Sequence, residues 1–147
     1  MKKMNSISVY IFVVASAWLV SQSLKYVITS LKNRSFKKNF RQFYLSGNMP
    51  SAHSATVIAL LTTIGIKDGV DTALFGLATL FSAVVMYDAM MVRRSSGEQG
   101  KALTELIKES KSNIMLPRVA KGHSPIEVLA GAVVGILVAL VVILITS

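Results

Sequence analysis

Cysteine is absent from this chain of 147 residues, which removes disulfide frameworks, thiolate metal sites and cysteine nucleophiles together. Histidine occurs only at His53 and His123, far apart and without a dense carboxylate set. No metal-ligand spacing results, and neither a metal nor another cofactor is called for. Acids are scarce as well, 7 against 16 lysines and arginines, for a formal net charge of +9. That charge does not read as a nucleic-acid surface, because the basic residues cluster beside apolar runs and do not interleave with aromatics. Anionic lipid headgroups are the expected counter-charge. Internal repeats and low-complexity tracts are absent too.

What the chain does have is apolar length. Hydrophobic residues make up 52% of it, more than a soluble domain of this size carries, and the length allows one domain. A bilayer core needs roughly 20 apolar residues of helix. Candidate spans run from about Ile7 to Leu31, His53 to Ile66, Thr72 to Met91 and Ile126 to Ile145, the second being short for the task. Met1-Lys2-Lys3 before an apolar run, with Ala15-Ser16-Ala17 as a cleavage site, also fits a secretory signal. Against it, the apolar helical pattern continues through Trp18, Leu19, Val20, Leu24, Val27 and Ile28. The expected fold is an all-α integral membrane bundle of about four spans, with a cytoplasmic helical hairpin region. Segment Arg34 to Tyr44, alternating cations with Phe36, Phe40, Phe43 and Tyr44, is expected to form an amphipathic helix at the interface. Residues from Gly97 to about Ser112 have the charge spacing of a solvated helix. A wall of only four spans is thin, which leaves room for a homodimer.

Loop charge orients the bundle in a cell membrane. Lys32 to Arg41 holds five basic residues and no acid, and Arg93 to Lys121 holds seven basic residues against three glutamates, so both belong in the cytoplasm. The slightly acidic link Lys67 to Asp71 fits the other side, while Lys2 and Lys3 run against this orientation. Parity is independent of it. The end of span one, the start of two, the end of three and the start of four share a face, and there lie Lys25, Ser46 to Ser54, Asp88, Arg93, Arg94 and Gly122 to Glu127.

Each motif has a chemical use. Pro50 before Ser51 and His53 favours a sharp start to a helix whose first-turn N–H groups can bind an anion, with Ser51 as N-cap or phosphate contact and Gly47 allowing close backbone approach. His123 and Glu127 are four apart, so on a helix the carboxylate can hold one ring nitrogen while the other stays free for attack or proton transfer. Asp88 near the end of an apolar helix is costly unless paired with a cation. Arg93 and Arg94 have the planar guanidiniums that bind phosphate bidentately and stabilise its transition state. Two imidazoles and two guanidiniums on one membrane face point to phosphate chemistry on a lipid.

The segments Ser46 to Ala55, Asp88 to Arg94 with Gly97-Glu98-Gln99, and Gly122 to Val128 resemble the divergent type 2 phosphatidic acid phosphatase family, also described as acid phosphatase and vanadium-dependent haloperoxidase related. The likeness covers nearly the whole chain, in order. It implies that His123 attacks phosphorus to form a phosphohistidine, that Glu127 orients it and that His53 protonates the leaving oxygen. Ser51, Arg93, Arg94 and Lys25 would hold the phosphate, with Asp88, Gly47 and Gly122 in support and no metal. Departures are Asn48 where the family has a second glycine, Ala52 for serine and Met91 for glycine, each expected to add a side chain near the phosphate. A Lys-x6-Arg-Pro motif is also missing, and Arg118 is one position too close to His123.

The expected function is therefore a metal-independent lipid phosphatase acting on a phosphomonoester headgroup of the phosphatidylglycerophosphate or phosphatidic acid type, its site at the cytoplasmic face. The alternative is a catalytically silent membrane scaffold or lipid-binding subunit of the same fold. An ion carrier fits less well, since the ionisable residues gather at one mouth and form no path across the bilayer.

Overall fold

A computed structural model describes residues 6–33, 49–117, 119 and 122–146. Its helices are α1 (Ser6–Asn33), α2 (Ala52–Lys67), α3 (Ala73–Tyr87), α4 (Arg93–Glu109) and α5 (Pro125–Thr146), with a π-helical segment, Asp88–Val92, joining α3 to α4. Among the described residues there is no strand, and the architecture is an all-α membrane bundle. The amphipathic helix expected over Arg34 to Tyr44, and Gly47, lie outside the described residues.

Local chemistry sets the helix ends. Ser51 caps α2 by accepting from the Ser54 N–H, and Thr72 caps α3 by accepting from the Phe75 N–H at 3.2 Å. After α2 the chain turns through Gly69 at φ 97°, a left-handed conformation that glycine adopts without a Cβ penalty. Pro125 opens α5 where its missing N–H costs nothing, while Ser124 and Glu127 cap each other: the Glu127 carboxylate accepts from the Ser124 N–H at 2.8 Å and the Ser124 hydroxyl from the Glu127 N–H at 3.4 Å.

Three stretches are long and apolar enough to cross a membrane: Val9–Leu31, Pro125–Thr146 and Ala73–Glu109, the last running through the π segment over 37 residues. The chain is a multi-pass membrane protein. α2, at 16 residues, would rise only about 24 Å against a hydrocarbon core of about 30 Å. It is instead the central helix, enclosed by α1, α3 and α5. The cytoplasmic hairpin of two helices expected after span three is one helix, α4, followed by non-helical chain from 112 to 117. Gly100 and Gly122 show that this chain returns along α4, since a Cβ on them would meet Val119 at 3.3 Å and the Arg94 backbone at 2.5 Å respectively.

The bundle is held by small residues. Val9, Val13 and Ala17 of α1, Ala59 of α2, and Ala139 and Val142 of α5 form one buried cluster. Gly131 and Gly135 lie so close to α2 that a Cβ on either would overlap the carbonyl oxygen of Ser51 or Ala55. Hydrophobicity alone gives no preference for helix over lipid, so close backbone approach with its dispersion contacts does the holding. At the far end the Tyr10 hydroxyl donates to Asp68 at 2.6 Å, which places the start of α1 beside the end of α2. At the near end the Ser51 N–H donates to the Glu127 carbonyl and the His123 N–H to the Ala89 carbonyl, both at 3.0 Å. The starts of α2 and α5 and the end of α3 therefore share one face, as parity required.

Candidate active site

His123 precedes α5 by two residues and is 3% exposed, held by its backbone bond to Ala89. Its Nδ1 faces the Glu127 carboxylate at 3.3 Å. The pairing expected from the four-residue spacing thus forms although His123 lies in the turn ahead of the helix. Burial pushes the His123 imidazole below its ordinary value, against the opposing pull of Glu127, with the positive charges of Lys25 and Arg93 adding to the lowering. A neutral ring with its proton on Nδ1 keeps the Nε2 lone pair free. Glu127 also caps α5, so one carboxylate serves both imidazole and backbone.

Other groups gather around this pair. Lys25 is 3% exposed inside the bundle and within Coulombic range of Glu127. His53, exposed on the first turn of α2, feels the charges of Arg93, His123, Lys25 and Asp88. Arg93 donates from Nε to Asp88 at 2.6 Å. That contact depends on the π segment: five residues apart on an α-helix point about 140° away from each other, and the extra residue in the π turn brings them onto one side. Arg94 goes the other way. It pairs with Glu98 at 3.1 Å and lines a cleft of about 660 Å³ with His123, Glu127, Gly122 and Lys101. Arg93 is within Coulombic range of His123, while Arg94 shares the cleft lining with it.

Several expectations change in detail. Ser51 is fully buried and accepts from the Ser54 hydroxyl at 2.9 Å and the Ser54 N–H at 3.4 Å, which is the N-cap role, one of the two uses expected for it. Met91 does not crowd the His123 cleft; it lines a separate groove with Tyr87, Ser95 and Gln99. Ala52 is buried in the helix start. Gly122 earns its place sterically, against the Arg94 backbone. Sequence reading missed Lys101, whose signal was its position two helical turns beyond Arg94, and the buried polar group Ser21, Gln22, Thr29 and Ser30 flanking Lys25 on α1. Among the described residues no group of three or more His, Asp or Glu side chains is arranged to hold a metal.

A buried imidazole backed by a carboxylate, with a second imidazole and two arginines in its neighbourhood, is an arrangement able to bind a tetrahedral oxyanion. The sequence profile of the divergent PAP2 family matches residues 7–138. The chain belongs to the divergent PAP2 family. Another similar protein is the uncharacterized membrane protein YuiD of Bacillus subtilis (strain 168), 33% identical over 144 residues, covering 86% of this chain and 88% of that protein. No solved structure matches. Family membership supports a membrane protein with a phosphatase-related fold, and the matched stretch includes every residue of the site.

Proposed function

We propose that this divergent PAP2 protein is a metal-independent lipid phosphate phosphatase that hydrolyses a phosphomonoester headgroup of the phosphatidylglycerophosphate or phosphatidic acid type. The observation that carries the reading is the buried His123 held through Nδ1 by Glu127 at the edge of a cleft that Arg94 and Lys101 also line. In the first step the Nε2 lone pair of His123 forms a bond to phosphorus while the bond from phosphorus to the lipid oxygen breaks. His53, protonated, gives its proton to that oxygen, and the lipid alcohol leaves. Water then attacks the phosphohistidine, His53 takes its proton, the P–N bond breaks and inorganic phosphate departs. Arg93, Arg94 and Lys25 neutralise the phosphoryl oxygens, where charge develops in the transition state. Ser51 acts through the cap that fixes His53 at the start of α2, Asp88 through its hold on Arg93, and Gly122 through the close approach of His123 to α4. Loop charge supports a site at the cytoplasmic face of the cell membrane.

Phosphate release from a panel of lipid phosphates by purified protein, compared with His123→Ala, tests the function. Release by the wild type and its loss in the variant are expected; no release from any lipid phosphate would remove the reading. A second reading is favoured by one distance. Glu127 sits closer to the Ser124 N–H, at 2.8 Å, than to His123, at 3.3 Å, as expected if it serves only as a cap in a silent lipid-binding scaffold. Vanadate, a phosphate transition-state mimic, would inhibit the enzyme and have nothing to inhibit in the scaffold.

A further inference from the structure

On α1, between the opposite membrane face and the site, Ile11, Val14, Ala15, Trp18 and Leu19 line a groove of about 460 Å³, completed by Thr56 of α2. Its lining is wholly apolar. Thr56 fits this because its hydroxyl is spent on the Ala52 carbonyl at 2.6 Å, leaving its methyl group to the groove. The groove stops close to the site. Thr56 follows His53 by three residues, about 4.5 Å along α2, and Trp18 precedes Lys25 by seven, about 10 Å along α1.

The same face of α1 changes character as it approaches the site. At 3.6 residues per turn, Ile11, Ala15, Trp18, Gln22, Lys25 and Thr29 fall within an arc of about 80°. The first three are apolar; the last three are polar and buried, at 8%, 3% and 6% exposure for Gln22, Lys25 and Thr29. Among the described residues the Gln22 Oε1 is buried without a hydrogen-bond partner, a costly state unless a donor such as a headgroup hydroxyl meets it. An apolar groove on a helix face that carries a buried amide and then a buried ammonium further along has the polarity order of a lipid phosphate read from chain to headgroup.

We propose that this groove seats an acyl chain of the substrate whose phosphate is held at His123, which makes α1 a reader of chain length. The proposal rests on the phosphatase reading for the identity of the headgroup. A helix of a second copy suits the surface less well, because the same face of α1 turns polar and buried within the bundle beyond Trp18, where a straight helix cannot follow.

The direct probe is a long-chain phosphatidic acid carrying a diazirine near the end of one acyl chain, added to protein in phosphatidylcholine vesicles. Adducts are expected on Ile11 to Leu19, lost on addition of unlabelled dioleoyl phosphatidic acid and retained with further phosphatidylcholine. Adducts spread over the outer faces of α3 and α5, or insensitive to that competition, would overturn the proposal. Ala15→Trp, which fills the groove from an exposed position, gives a second readout. It should lower the ratio of kcat/KM for dioleoyl over dihexanoyl phosphatidic acid by roughly tenfold, the worth of about two buried methylenes. An unchanged ratio with an altered oligomeric mass would assign the groove to a second copy instead. If the wild type releases no phosphate, the phosphatase reading fails, while the competed labelling still decides the groove.

Discussion

At the scale of the residue, Glu127 divides one carboxylate between the His123 ring and the Ser124 backbone. Glu127→Gln separates the two uses. The amide oxygen still accepts from Ser124, so the melting temperature should move little, whereas loss of the charge that supports an imidazolium should lower kcat by roughly 10²-fold. A lowered melting temperature with unchanged kcat would leave Glu127 as a cap alone. His123 carries its own pH signature. Its folded value lies below the ordinary 6.5, so above that pH the ring is neutral in both folded and unfolded chains. As pH falls through 6.5 the unfolded chain takes up the proton first, and the folded state loses stability until the folded value is passed. Thermal melting in detergent between about pH 7.5 and 5 should show that decline, and His123→Asn should flatten it. The histidines, Glu127, Asp88 and the arginines were legible in the sequence because their chemistry is rare beside apolar runs. The need for Gly122 against Arg94 was not, because it depends on which backbone lies opposite.

At the scale of the element, the apolar runs located α1, α3 and α5 to within a few residues, since a bilayer demands length and composition that few other structures share. The π segment had no such signature. Nothing in Asp88-Ala89-Met90-Met91-Val92 distinguishes it from α-helix, yet it joins Asp88 to Arg93 and makes α3 and α4 one continuous rod. α2 was hard to place for a related reason: its length is that of a buried helix, and its role as the centre of the bundle comes from small residues on its neighbours. Gly135→Ala tests that role. The added methyl would collide with the Ala55 carbonyl oxygen, and the variant should lose about 1–3 kcal/mol of stability, measured by unfolding in mixed detergent micelles. Ala130→Leu, on a less buried part of α5, is the control expected to stay near wild type.

Across the whole molecule, the fold brings chemistry from four stretches of chain to one face: Lys25 from α1, His53 from α2, Asp88 and Arg93 from the π junction, and His123 with Glu127 at the start of α5. Parity alone foretold that gathering, and the backbone bonds from Ser51 to Glu127 and from His123 to Ala89 are its structural form. Absence of cysteine makes the orientation simple to test, because single cysteines label cleanly. Ser110→Cys, beyond α4, should react with an impermeant maleimide only when the cytoplasmic side is open, and Asp71→Cys, between α2 and α3, only from the outside. Reversal of both would move the site to the outer face. The most direct test of the account is rapid acid-free quenching of protein turning over a ³²P-labelled lipid phosphate, followed by mapping of the label. Acid-labile, alkali-stable phosphate is expected on His123 and none in His123→Ala. Turnover that continues in His123→Ala, with no phosphohistidine at any time point, would contradict it.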